Sequence, residues 1–102
     1  MKIGIASDHG GFNLKKELIF KLKDNGYEVI DCGTYDEERT DYPIYAFKVC
    51  KKVISKDIDF GIAICKTGIG MSIACNKVDG IFAAKIDSKS DARLAKEHNG
   101  AN

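Results

Sequence analysis

The run Cys65-Lys66-Thr67-Gly68-Ile69-Gly70-Met71-Ser72 joins an apolar stretch, Phe60-Gly-Ile-Ala-Ile64, to a short helical one that leaves from Ser72. Strand, glycine-rich turn and helix in that order gather several backbone N–H groups at the positive end of a helix dipole, which makes an anion cradle. A thiol and a hydroxyl, those of Cys65 and Thr67, stand at its edge. A helix N-terminus and a nearby cation favour the thiolate, the form that acts as base or nucleophile. From spacing alone, a buried structural thiol is an equally good reading of Cys65. A second run, Ser7-Asp8-His9-Gly10-Gly11, adds a carboxylate and an imidazole.

Four strand–helix units must position these groups. Strands are expected at 2–6, 27–32, about 58–64 and 81–86, and helices at about 12–24, from Pro43 to about 55, from Ser72 to about 77, and at about 89–97. The inward positions read as Phe12, Leu14 or Lys15, Leu18, Ile19 and Leu22 in the first helix, and Ile44, Phe47, Val49 or Cys50 and Val53 in the second. Strict alternation predicts one α/β domain over 1–102, a doubly wound, Rossmann-like parallel sheet with helices on both faces and strand order 2-1-3-4. Ligands of such sheets bind where the strand order reverses, beyond the carboxyl ends of the strands. That point lies between strands 1 and 3, so Asp8, His9, Cys65 and Thr67 are expected together. Proton shuttling on a small anionic substrate is the chemistry they suit. Gly100 reads as a helix C-cap, so Ala101-Asn102 should be entering a fifth strand, which is missing, and strand 4 is expected to present an open apolar edge for another chain or segment to cover.

Composition narrows the class. Apolar residues make up 44%, charged residues 30%, and the net charge is +1, which gives no electrostatic case for nucleic acid. Lys15, Lys16, Lys21 and Lys23 read as solvated surface. No apolar stretch approaches the roughly 20 residues of a membrane span, and the start reads as a strand rather than a leader, so a cytoplasmic protein with no membrane partner is expected. The cysteines, Cys32, Cys50, Cys65 and Cys75, have neither disulfide nor metal-site spacing, and all but Cys65 read as small packed hydrophobes.

Ser7-Asp8-His9-Gly10-Gly11-Phe12, Val29 to Tyr35, Asp41-Tyr42-Pro43, Cys65-x-Thr67-Gly68-Ile69-Gly70-Met71-Ser72, Asn76-Lys77 and Glu97-His98-Asn99-x-Ala101-Asn102 together resemble the type B ribose-5-phosphate isomerase family, which also holds the galactose-6-phosphate isomerase subunits. The resemblance covers the whole chain. It implies interconversion of ribose 5-phosphate and ribulose 5-phosphate in the pentose phosphate pathway, through an enediolate and without metal or cofactor. By the same resemblance Cys65 is the base, Thr67 handles the hydroxyl proton, and the N–H groups of Gly68, Ile69, Gly70, Met71 and Ser72 hold the enediolate oxygen. Asp8 contacts sugar hydroxyls, His9 lies towards the phosphate and Tyr42 lines the pocket. His98, with Asn99 beside it, helps to open the ring and serves the Cys65 of a second subunit in a homodimer or tetramer. Six-carbon sugar phosphates are the alternative substrates. An inactive phosphate-binding or assembly module is the alternative from another class, because the family's later arginines, which grip the phosphate, are absent from this chain. Lys66 and Phe82 depart from the family's usual glycine and arginine. Were a positive φ required at Lys66, it would strain the turn by about 1 kcal/mol or more.

Overall fold

A computed structural model describes all residues, Met1–Asn102. The first strand, β1 (Lys2–Ser7), runs into a single 3₁₀ turn at His9–Gly11 and then α1 (Phe12–Asp24). There follow β2 (Glu28–Asp31), α2 (Tyr42–Ile54), β3 (Phe60–Ile64), α3 (Ile69–Asn76) and α4 (Lys89–Asn99). Gly26, at φ +89°, stops the chain just past the end of α1, Pro43 opens α2, and the Ser88 hydroxyl caps α4 by accepting the Asp91 N–H at 3.0 Å.

The three strands are parallel in the order β2-β1-β3, with Gly4 opposite Ile30 on one side and Gly61 on the other. Small residues alternate with isoleucine along both β1 and β3. Gly4, Ala6, Gly61 and Ala63 therefore share the face on which Val49, Val53 and Ile58 pack, while Ile3, Ile5, Ile62 and Ile64 point the other way. Two adjoining clusters fill the core, one of Ala46, Cys50, Met71, Ala74, Cys75 and Ile81, the other of Ala6, Cys32, Val49 and Ile58. No helix is long and apolar enough to cross a membrane.

The doubly wound α/β architecture is as expected, and three details differ. Residues 81–86 form no strand ladder with β3, because Asn102 stands between them: its carbonyl accepts the Gly61 N–H at 2.9 Å and its N–H donates to the Phe82 carbonyl at 3.0 Å. Ile44 and Phe47 are about half exposed, since α2 meets the sheet through Ala46, Val49, Cys50 and Val53. That helix carries two apolar faces, and periodicity does not say which one turns inward. Lys15, read both as solvated surface and as the alternative to Leu14 for an inward position, is fully buried and is the only buried residue of α1, while Leu14 is half exposed.

Candidate active site

The apolar run of β3 delivers Cys65 to the carboxyl end of the sheet, and Gly68, at φ +80°, turns the chain into α3. A side chain at that φ costs about 1–2 kcal/mol, which accounts for glycine there. Lys66 does not take a positive φ; Lys56 is the one non-glycine residue that does, so the departure at Lys66 costs no backbone strain. Met71 is buried and anchors the turn in the core.

The donors of the turn divide into committed and open ones. The Gly68 N–H donates to Cys65 Sγ at 3.1 Å, the Ile69 N–H to Thr67 Oγ1 at 3.1 Å, and the Ser72 N–H to the Gly68 carbonyl at 3.0 Å. The Gly70 and Met71 N–H groups have no acceptor in the chain. The anion cradle is thus two adjacent amides rather than the whole stretch from Gly68 to Ser72, with the half-buried Sγ of Cys65 beside it.

The loop after β1 is sewn to this turn. The Asp8 N–H donates to the Ile64 carbonyl at 3.2 Å, and Gly10 lies against Lys66. Asp8 is buried, and its carboxylate accepts the Gly11 N–H at 3.1 Å. His9 Nδ1 lies 3.1 Å from both the N and the O of Thr40, which ties the imidazole to the loop before α2. Tyr42 then covers Gly70: a Cβ on that glycine would lie 2.8 Å from the ring Cζ. Asp8, His9, Tyr42, Cys65 and Thr67 therefore converge from three segments. His98 and Asn99 do not join them; they sit exposed on the last turn of α4.

The partners of Lys15 are what sequence reasoning missed. Its Nζ, with a side chain fully out of solvent, lies 2.5 Å from both Asp31 Oδ1 and the Thr34 carbonyl, and within 5.5 Å of the Phe12 and Tyr35 ring centres. Asp31 Oδ1 also accepts the Gly33 N–H. The strap so pinned is bonded to the end of β1: Ser7 N–H to the Gly33 carbonyl at 2.7 Å, and Thr34 N–H to the Ser7 carbonyl at 2.8 Å. Lys15 thereby fixes the backbone that carries Asp8. Its place among the inward positions of α1 was the available signal. The Ser7 hydroxyl, also buried, has no partner.

A profile of the Ribose/Galactose Isomerase family matches residues 3–102. This chain belongs to that family. Ribose-5-phosphate isomerase B of Escherichia coli is 48% identical over 101 residues, which are 99% of this chain and 68% of the relative. The isomerase fold is also that of two solved structures. The ribose-5-phosphate isomerase B of Clostridium thermocellum superposes at a TM-score of 0.98 with 56% identity, covering 100% of this chain and 69% of its own. That of Thermotoga maritima gives 0.97 with 52% identity, covering 99% and 70%. The family member described here is a sugar-phosphate isomerase.

Proposed function

We propose that this isomerase interconverts ribose 5-phosphate and ribulose 5-phosphate, with Cys65 as the base. The observation that carries the reading is the pairing of a half-buried thiol with two open amides, Gly70 and Met71, on one turn. A C–H next to a carbonyl is weakly acidic, so most of the assistance must go to the oxyanion, and one preorganised donor is worth about 3–4 kcal/mol of barrier. In the open-chain aldose the Cys65 thiolate takes the C2 proton. The electron pair moves into the C1–C2 bond, and the carbonyl pair moves onto the C1 oxygen, giving the enediolate facing the two amides. The thiol then returns the proton to C1, while Thr67 mediates transfer between the C1 and C2 oxygens. Asp8 and Tyr42 hold the sugar, and His9 faces the phosphate.

His98 and Asn99 reach the site from a second subunit in this reading. Ile44, Phe47, Ile69 and Ile73, each about half exposed on α2 and α3, offer the apolar area that such a dimer would cover. Turnover of ribose 5-phosphate by the purified protein tests the assignment, with galactose and allose 6-phosphates as comparison substrates. A higher kcat/KM on a six-carbon sugar phosphate would overturn the substrate, and retained turnover in Cys65→Ala would overturn the base.

A further inference from the structure

Lys15 closes a ring of bonds around the Asp8 loop. Asp8 Oδ1 accepts the Gly11 N–H at 3.1 Å, and Gly11 is the residue from which α1 departs. One helical turn further on, the Lys15 ammonium donates to the Thr34 carbonyl at 2.5 Å. The Thr34 N–H donates to the Ser7 carbonyl at 2.8 Å, and Ser7 is peptide-bonded to Asp8. Asp8 is thus held to α1 twice, directly through its carboxylate and indirectly through Ser7, Thr34 and Lys15. A third bond, from the Asp8 N–H to the Ile64 carbonyl, fixes the same residue to the Cys65 turn. Asp8 Oδ2 bonds to nothing in the chain and is not wholly buried, so it is the oxygen left for a ligand.

Stability alone does not account for Lys15. A buried ion pair can commonly be replaced by apolar side chains without loss. The Phe12 and Tyr35 rings beside the ammonium would receive such a side chain. What an apolar residue cannot supply is a donor aimed at the Thr34 carbonyl, an atom that no other group of the chain bonds.

We propose that Lys15 is a positioning residue for the isomerase reaction: by holding the Thr34 strap to α1 it sets the place of the Asp8 carboxylate, and with it the fit of the sugar hydroxyls. The inference rests on the reading of Asp8 as the group that holds the sugar. A contact made alike in the substrate and the transition state acts on KM rather than kcat. A displacement of ~1 Å is enough to lose most of such a contact.

Lys15→Met keeps the apolar stem of the side chain and removes both bonds of the ammonium. Amide hydrogen exchange is read at Ser7, Gly11 and Thr34, with the Asp59 N–H, bonded to Lys2 at the other end of the sheet, as reporter of the fold. KM and kcat for ribose 5-phosphate are measured on Lys15→Met, Asp8→Ala and the double variant. Exchange at the three amides is expected to be about tenfold faster or more with Asp59 unchanged, and KM to rise roughly three- to thirtyfold with kcat within about threefold. The double variant should be no worse than Asp8→Ala, because both changes act through one carboxylate. Ile58→Val, a buried change before the start of β3, should leave KM where it is. Tyr35→Ala serves if Lys15→Met does not fold: the residue is exposed, its O–H donates to the Asp31 carbonyl, and its loss should speed the same three amides. Unchanged exchange at Ser7 and Gly11 would overturn the proposal. So would an unchanged KM in Lys15→Met where Asp8→Ala raises it, or an equal rise in Ile58→Val; each leaves the role of Asp8 standing. An unchanged KM in Asp8→Ala would overturn that role and the proposal with it.

Discussion

The Sγ of Cys65 accepts the backbone N–H of Gly68 at 3.1 Å, across a turn that only the left-handed conformation of Gly68 closes. One hydrogen bond thus orients the thiol and at the same time removes Gly68 from the pool of free donors. Cys65→Ala deletes the proposed base while leaving the apolar contacts of the turn. Its kcat on ribose 5-phosphate is expected to fall by about 10²–10⁴-fold or more, the range for loss of a positioned proton-transfer group, with KM little changed. Steady-state kinetics, with circular dichroism to verify folding, checks it.

Gly70→Ala separates packing from site geometry. The new methyl would collide with the end of the Tyr42 ring, which is 37% exposed and free to swing into solvent. Alanine also gains up to about 1 kcal/mol of helix propensity in the first turn of α3. Urea denaturation should therefore show a stability close to that of the parent, while KM for the sugar phosphate rises. Tyr42→Ala should raise KM by a similar factor, and the double variant should be no worse than either, because both act through the same ring.

The Lys15–Asp31 pair should respond unequally to loss of either partner. The lysine side chain is fully buried and the aspartate side chain is 39% exposed. Asp31→Asn leaves a buried ammonium with neutral acceptors only, and a cost at the level of about 3–5 kcal/mol is expected. Lys15→Met strands a carboxylate that water already reaches, so the loss should be smaller. Chemical denaturation of the two variants gives the order directly, and the reverse order would contradict the pinned strap.

Thiol labelling of the native protein should yield one adduct per chain, at Cys65. Cys32, Cys50 and Cys75 are each under 5% exposed. Burial pushes the Cys32 thiol up, and the Cys75 thiol, held against that of Cys50 and buried, is pushed up as well, so neither supplies thiolate near neutral pH. Intact mass after brief iodoacetamide treatment should show a single carbamidomethyl group, rising to four in urea.

Local chemistry made much of this protein legible in the sequence. Gly26, Pro43, Ser88 and Gly100 mark helix ends through backbone geometry that needs no partner, and they stand where the helices begin or stop. The alternation of apolar strands with helices specified the parallel sheet, and that topology alone placed the Asp8 loop beside the Cys65 turn. What depended on distant neighbours was not legible. Which amides of the turn stay open followed from where Sγ, Thr67 Oγ1 and the Gly68 carbonyl came to lie. The burial of Lys15 followed from two acceptors on another segment, Asp31 and Thr34, and the outward turn of Ile44 and Phe47 from the competition between two apolar faces of one helix. Residues 81–86 had the composition of a strand, but a strand exists only when a neighbour supplies its hydrogen bonds, and the residue next to them is Asn102. The sequence by itself determined the elements and the chemistry on offer, because those rest on single residues and short-range spacing. The tertiary structure decided which donors are free, which charge is buried and which edge is open, because each of these is a property of pairs far apart in the chain.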